Sequence, residues 1–140
     1  MTRIIALLAI FLSTAVLQAG NAAIEVEISA EDIPRFWAAY DRAKNASDRA
    51  AVFQTLFIDK VDARVRQFIR PSSVYASMTL HYPRFWESIR RNTERIAEKK
   101  EEMQRSFQRF AEIYPAFHPP KLHFSISACQ TGGTVKDGII

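Results

Sequence analysis

The sequence predicts an α+β fold, mainly α: a helical N-terminal part with one long amphipathic helix at about 82–114, followed by an incomplete small β-sheet or hairpin. Three observations carry this. Tyr82, Ile89, Ile96, Met103 and Phe110 recur at intervals of seven, with Trp86, Thr93, Phe107 and Tyr114 beside them, so one helix face is apolar and the other charged. Beyond Pro115, Pro119 and Pro120 the period falls to two, Leu122, Phe124, Ile126 and Ala128 alternating with His123, Ser125 and Ser127 as in a half-buried strand. With 140 residues, 48% hydrophobic and 24% charged, the chain suits one domain able to bury a core.

The N-terminus is set apart from that domain. Arg3 supplies a positive start, residues 4–17 an apolar run broken only by Ser13 and Thr14, and residues 18–23 contain small residues suited to cleavage. The run falls short of the roughly 20 residues of a comfortable membrane span. Residues 1–23 therefore read as a signal peptide, cleaved somewhere within 19–23, and 24–140 as the exported part, periplasmic or extracellular, with no stable membrane span after cleavage. No cysteine near the cleavage region offers a lipid attachment point.

In chain order, residues 24–28 alternate apolar and acidic, the pattern of an edge or terminal strand. Ser29, then Glu31 and Asp32, open a helix whose inner face is Phe36, Trp37, Tyr40 and Ala43. Residues 45–48 read as a turn, Ser47 or Asp48 capping a second helix through Val52, Phe53, Leu56 and Phe57. Residues 59–70 continue or restart helix, and after Pro71 a cap at Ser73 begins a short helix through Val74, Met78 and Leu80. Pro83 suits the first turn of the long helix and Pro115 ends it. At about 1.5 Å per residue that helix outruns a small domain, so it is expected to bend or break, within 98–102, where Lys100 interrupts the stripe. Glu87 with Arg91 and Glu101 with Arg105 form i,i+4 pairs on its outer face. Residues 130–134 then read as a tight polar turn before a second strand starting near Gly138.

Composition excludes some partners. The formal charge of +4 becomes +3 when Arg3 leaves, and basic side chains are interleaved with acidic ones, so no nucleic-acid-tracking cluster exists. Cys129, the lone cysteine, cannot form an internal disulfide and reads as a buried or edge-strand structural residue rather than a nucleophile.

No active site emerges from spacing. His81, His118 and His123 stand at no metal-binding interval, and are expected to be a packing or capping residue, a loop residue and a strand-surface residue in that order. Gly132-Gly133 would cradle an anion only ahead of a helix, and a hairpin turn is the better account. Asp32, Asp41, Asp59 and Asp62 are candidates for buried acids and equally for caps or surface charges.

Several segments together resemble a bacterial family of zinc-dependent protease homologues, of otherwise unknown function, to which gliding-motility lipoproteins are related. They are Asp32-Ile33-Pro34-Arg35-Phe36-Trp37 with Ala39-Tyr40-Asp41, Val52-Phe53-Gln54 with Phe57-Ile58-Asp59-Lys60, and Tyr82-Pro83 with Ser88-Ile89-Arg90. The fourth is Tyr114-Pro115, then Pro119-Pro120, a strand and Gly132-Gly133-Thr134. In that family a strand and a helix bearing His-Glu-x-x-His follow, the histidines holding zinc and the glutamate acting as general base. This sequence has no such motif, so the resemblance implies an N-terminal portion, truncated before the catalytic helix and inactive alone. It assigns no catalytic, cofactor-binding or metal residue to this chain, and zinc is expected only in a full-length member. The strand at 122–128 and the one begun at Gly138 resemble the small sheet that pairs with extended substrate in such peptidases.

Two functions follow as expectations. The first is the N-terminal fragment of an exported zinc-dependent protease homologue, with peptide or protein as partner. The second is a complete extracytoplasmic helical adaptor presenting Phe36, Trp37, Tyr40, Phe85 and Trp86, aromatics that would otherwise form the core between the first and the long helix. Without covering helices, residues 122–140 are expected to be loosely held, with a strand edge able to recruit another copy.

Overall fold

The computed structural model describes residues 23–129 and 132–140. Residues 1–22, the body of the expected signal peptide, lie outside them, as do Gln130 and Thr131 of the expected turn. The described chain is mainly helical with a small parallel sheet, in the order β1 (Ile28–Ser29), α1 (Asp32–Ala43), α2 (Arg49–Leu56), α3 (Ala63–Arg66), α4 (Ser72–His81), α5 (Pro83–Glu94), α6 (Lys100–Ile113) and β2 (Leu122–His123).

The core is built on α1. Ile33, Phe36, Trp37, Tyr40 and Ala43 recur at helical spacing and all are buried. Phe36 sits at the centre, its ring 5.0–6.3 Å from those of Trp37, Tyr40, Phe53, Phe57, Tyr75 and Trp86. Fully burying one such side chain is worth about 1.5–3 kcal/mol, so α1, α2, α4 and α5 converge where the aromatics are densest. The helix opens without the expected Ser29 cap: Glu31 holds the cap position and makes no side-chain cap bond.

The next caps follow local chemistry. Asp48 accepts the Ala51 N–H at 2.9 Å to open α2, and Asp62 accepts the Arg64 N–H at 2.8 Å to open α3. The helix expected over 59–70 is instead a 3-10 turn at Ile58–Lys60 and the single turn of α3, separated by Val61 in extended conformation. Pro71 precedes α4, and Pro83 is the first residue of α5.

The long helical run spans Pro83 to Ile113 with a 3-10 stretch at Arg95–Lys99 inside it, so the break begins ahead of the expected 98–102. Arg95 pairs with Glu98 and Lys99 with Glu102, both i,i+3, the spacing that a three-residue turn brings into register. Along the apolar stripe only Trp86 is fully buried. Trp86 is in the core, Ile89, Ile96, Met103 and Phe107 are half-buried, and Tyr82, Phe110 and Tyr114 are exposed. No residue of α6 is buried. Glu87 also departs from expectation, reaching Lys44, the residue that caps the end of α1, at 2.8 Å.

The strands are shorter than expected and parallel. Ile28 pairs with Leu122 and Ser29 with His123, while Ile24 and Val26 spend their N–H groups on the side chains of Gln108 and Gln104. On the other side of β2, Lys121 N–H donates to the Gly138 carbonyl and His123 N–H to the Ile140 carbonyl. Residues 122–128 and 138–140 therefore form no hairpin with each other. The tight turn lies at Lys136 to Ile139, where each N–H donates to the other's carbonyl at 2.9 Å across Asp137 (φ 52°) and Gly138 (φ 75°). Leu122, Ile126 and Ala128 are buried, and the Tyr75 hydroxyl donates to the Ile126 carbonyl at 2.9 Å. Ile126 and Ala128 of the segment expected to lie uncovered are thus part of the core, where Tyr75 of α4 meets Ile126.

Candidate functional site

His123 and Ser125 line, together with Leu122 and Phe124, a cleft of about 200 Å³ whose apolar walls include Val65, Phe68, Ile69, Ile139 and Ile140. The cleft also touches Gly132, Gly133 and Thr134.

Its most structured side chain is His123, whose Nε2 lies 2.8 Å from Oδ2 of Asp32. Asp32 is wholly buried, so its charge needs partners; Arg35 supplies a second through Nη1 at 3.1 Å from Oδ1. Arg35 is itself held by Glu31 at 2.7 Å and by the Lys60 carbonyl at 3.2 Å. The imidazole must donate from Nε2 to a carboxylate, which in the neutral ring leaves Nδ1 an acceptor. Among the described residues the buried Ser125 hydroxyl has no hydrogen-bond partner, so imidazole and hydroxyl are not joined.

The remaining candidates disperse. Of the four aspartates only Asp32 is buried: Asp62 caps α3, Asp59 accepts from Gln54 at 2.6 Å, and Asp41 takes both Arg90 nitrogens at 2.8 Å. Arg90, then desolvation and Lys44, decide the Asp41 carboxyl, which is held below the usual range, and the Arg64 side chain does the same for Asp62. His123 is not a strand-surface residue, which corrects the expectation. His118 is exposed, and the His81 ring bonds the Ser77 carbonyl at 2.7 Å, one turn back on α4. Cys129 is exposed in a left-handed conformation (φ 57°), neither buried nor in a strand as expected. Among the described residues nothing lies near where a Cβ would stand on Gly132 or Gly133, and no helix follows them.

Zinc, which the resemblance implies for a full-length member, finds no ligand set here: among the described residues no three His, Cys, Asp or Glu side chains converge. The adaptor surface is also corrected. Phe36, Trp37, Tyr40 and Trp86 are core residues, and of that set only Phe85 is exposed.

No family model, curated protein or solved structure matches this chain. The resemblance accordingly rests on its ordered motifs alone.

A second groove, of about 690 Å³, lies between α1 and α5. Arg90 grips Asp41 and lies over the Trp37 ring at 5.0 Å, and the Trp37 indole N–H donates to Thr93 Oγ1 at 3.0 Å. These contacts fix the helix crossing. The Asp32–His123 tie gave no signal in the sequence, its partners lying far apart along the chain, whereas the Asp137-Gly138 turn did, since Asp-Gly favours a two-residue hairpin loop.

Proposed function

We propose that this chain is the N-terminal portion of an exported zinc-peptidase-like protein, supplying the helical support and the substrate-side sheet and hydrolysing no peptide by itself. The observation that carries this is the cleft beside β2: parallel strand segments at one side, apolar walls, and polar side chains at 123 and 125. Such a surface suits an extended peptide, whose alternate side chains fill apolar pockets while polar groups meet its backbone. Export, to periplasm or beyond, is proposed from residues 1–23 and the motifs of residues 32–134 support the kinship. The outer side of the sheet, where Val135 is exposed, is where a second copy would add.

The test is a peptidase assay of the purified chain on a mixed peptide library, with and without chelator, joined to sequencing of the locus beyond codon 140. No chelator-sensitive hydrolysis, with a downstream His-Glu-x-x-His in frame or after a frameshift, supports the proposal. Hydrolysis by this chain, or a locus with no such motif, defeats it. The adaptor alternative would have to use a surface other than Phe36, Trp37, Tyr40 and Trp86, which are buried.

A further inference from the structure

We propose that residues 91–102 form a salt-sensitive conformational device: like charges four apart hold the long helical run in its 3-10 stretch, and screening them lets α6 turn off the N-terminal segment. The inference does not rest on the peptidase reading. In an α-helix side chains four apart are neighbours, and like charges there are destabilising. Four such pairs follow one another across the stretch: Arg91 with Arg95, Glu94 with Glu98, Arg95 with Lys99, and Glu98 with Glu102. In a 3-10 helix residues three apart are eclipsed instead, and there the signs are opposite. Arg95 meets Glu98 at 2.8 Å and Lys99 meets Glu102 at 2.7 Å. On either side of the stretch attraction returns to the i,i+4 spacing, Arg90 with Glu94 at 2.9 Å and Arg105 with Glu101 at 4.0 Å. Salt weakens the repulsions of the α form and the attractions of the 3-10 form together, so both changes favour the α-helix, whose hydrogen-bond geometry is better.

The stretch sets how α6 is turned. A 3-10 helix advances about 20° more per residue than an α-helix, hence about 100° over Arg95–Lys99. That phase places two glutamines on the N-terminal segment: Gln104 accepts the Val26 N–H and donates to the Ile24 carbonyl, and Gln108 accepts the Ile24 N–H. One helical turn, about 5.4 Å, is close to the rise of two extended residues, about 6.6 Å, so glutamines four apart can hold amides two apart. The same phase sets Glu94, Ala97 and Lys100, three apart, along the groove between α1 and α5. No residue of α6 is buried, so no core contact opposes the turn. Conversion to α-helix therefore carries both glutamines away from Ile24 and Val26, and Lys100 off the groove wall.

The experiment is solution NMR of the full chain, with Glu98→Lys as the test variant and Glu101→Lys as a control of equal charge change. E98K sets opposite charges at 94 and 98 and at 98 and 102, and like charges at 95 and 98; E101K does none of these. Contacts from Hα to the amide proton two residues on mark a 3-10 helix, and those four residues on an α-helix. The native chain at low salt should show the first kind over 95–99, as should E101K. The second kind is expected in E98K, and in the native chain at about 1 M salt, where the screening length falls to about 3 Å. With it, exchange of the Ile24 and Val26 amides should quicken about tenfold while Phe124, which donates to Ser29, keeps its rate. The salt titration of the native chain decides the matter even if E98K fails to fold. Contacts two apart that persist at high salt, conversion that leaves the Ile24 and Val26 amides unchanged, or conversion in E101K would each overturn the proposal.

Discussion

His123 Nε2 lies 2.8 Å from Oδ2 of Asp32, joining the strand after the long helix to the first turn of the helix before the core, 91 residues apart in sequence. The tie sets the cleft wall, because it decides where the His123 ring stands.

Removing one partner should cost more than the tie itself contributes. Asp32→Ala leaves the buried-side His123 N–H without its acceptor, while Arg35, a third exposed, keeps Glu31 and the Lys60 carbonyl, and an unsatisfied buried hydrogen-bonding group costs about 1–3 kcal/mol. The expected outcome in urea unfolding is a loss of that size for Asp32→Ala, a smaller one for His123→Ala, where Arg35 still holds the carboxylate, and a coupling of about 0.5–3 kcal/mol in the double-mutant cycle. Simple additivity would show that the two side chains act independently.

Tyr75 gives the fold a base-side limit. Burial pushes its phenol up to about 12, against a smaller downward pull from Arg70. The neutral hydroxyl, which donates to the Ile126 carbonyl, is the form the fold favours. An acid whose folded value is raised contributes stability that is complete below its unfolded value near 10 and is lost as pH rises through about 12. Urea midpoints measured across that range should therefore fall for the native chain and fall less for Tyr75→Phe. At neutral pH the same variant should be less stable by about 1–3 kcal/mol, since a buried carbonyl loses its donor.

The left-handed turn at Gly138 should be sensitive to a single methyl group. Its φ of 75° costs an L-residue roughly 1–2 kcal/mol, although nothing crowds the position. Gly138→Ala is expected to speed amide exchange at Lys121, His123 and Ile140, whose N–H groups bond across this segment, and to leave Ile89 unaffected. Unchanged exchange at those three amides would mean that the turn does not hold the outer strand segment.

What the sequence made legible was periodic. The stripe from Tyr82 onward and the inner face of α1 each report their own helix, whereas of the alternation after Leu122 only Leu122–His123 is strand. Periodicity says which face is apolar, not what covers it. Hence the core aromatics of α1 could be mistaken for a docking surface, while Phe110 and Tyr114, which continue the same stripe as Ile89, are exposed. Strand direction was likewise illegible, since the parallel pairing of β1 with β2 is set by helices intervening between them, not by either strand's residues. The Asp32–His123 contact depended on that pairing and could not be read before it.

Zinc content is the most direct test of the central proposal, that this chain is the supporting portion of a zinc-peptidase-like protein and not the hydrolase. The purified chain, equilibrated with zinc at neutral pH, dialysed and analysed for metal, should retain far less than one zinc per chain. One zinc per chain surviving dialysis, removed by chelator together with a peptidase activity, would contradict it.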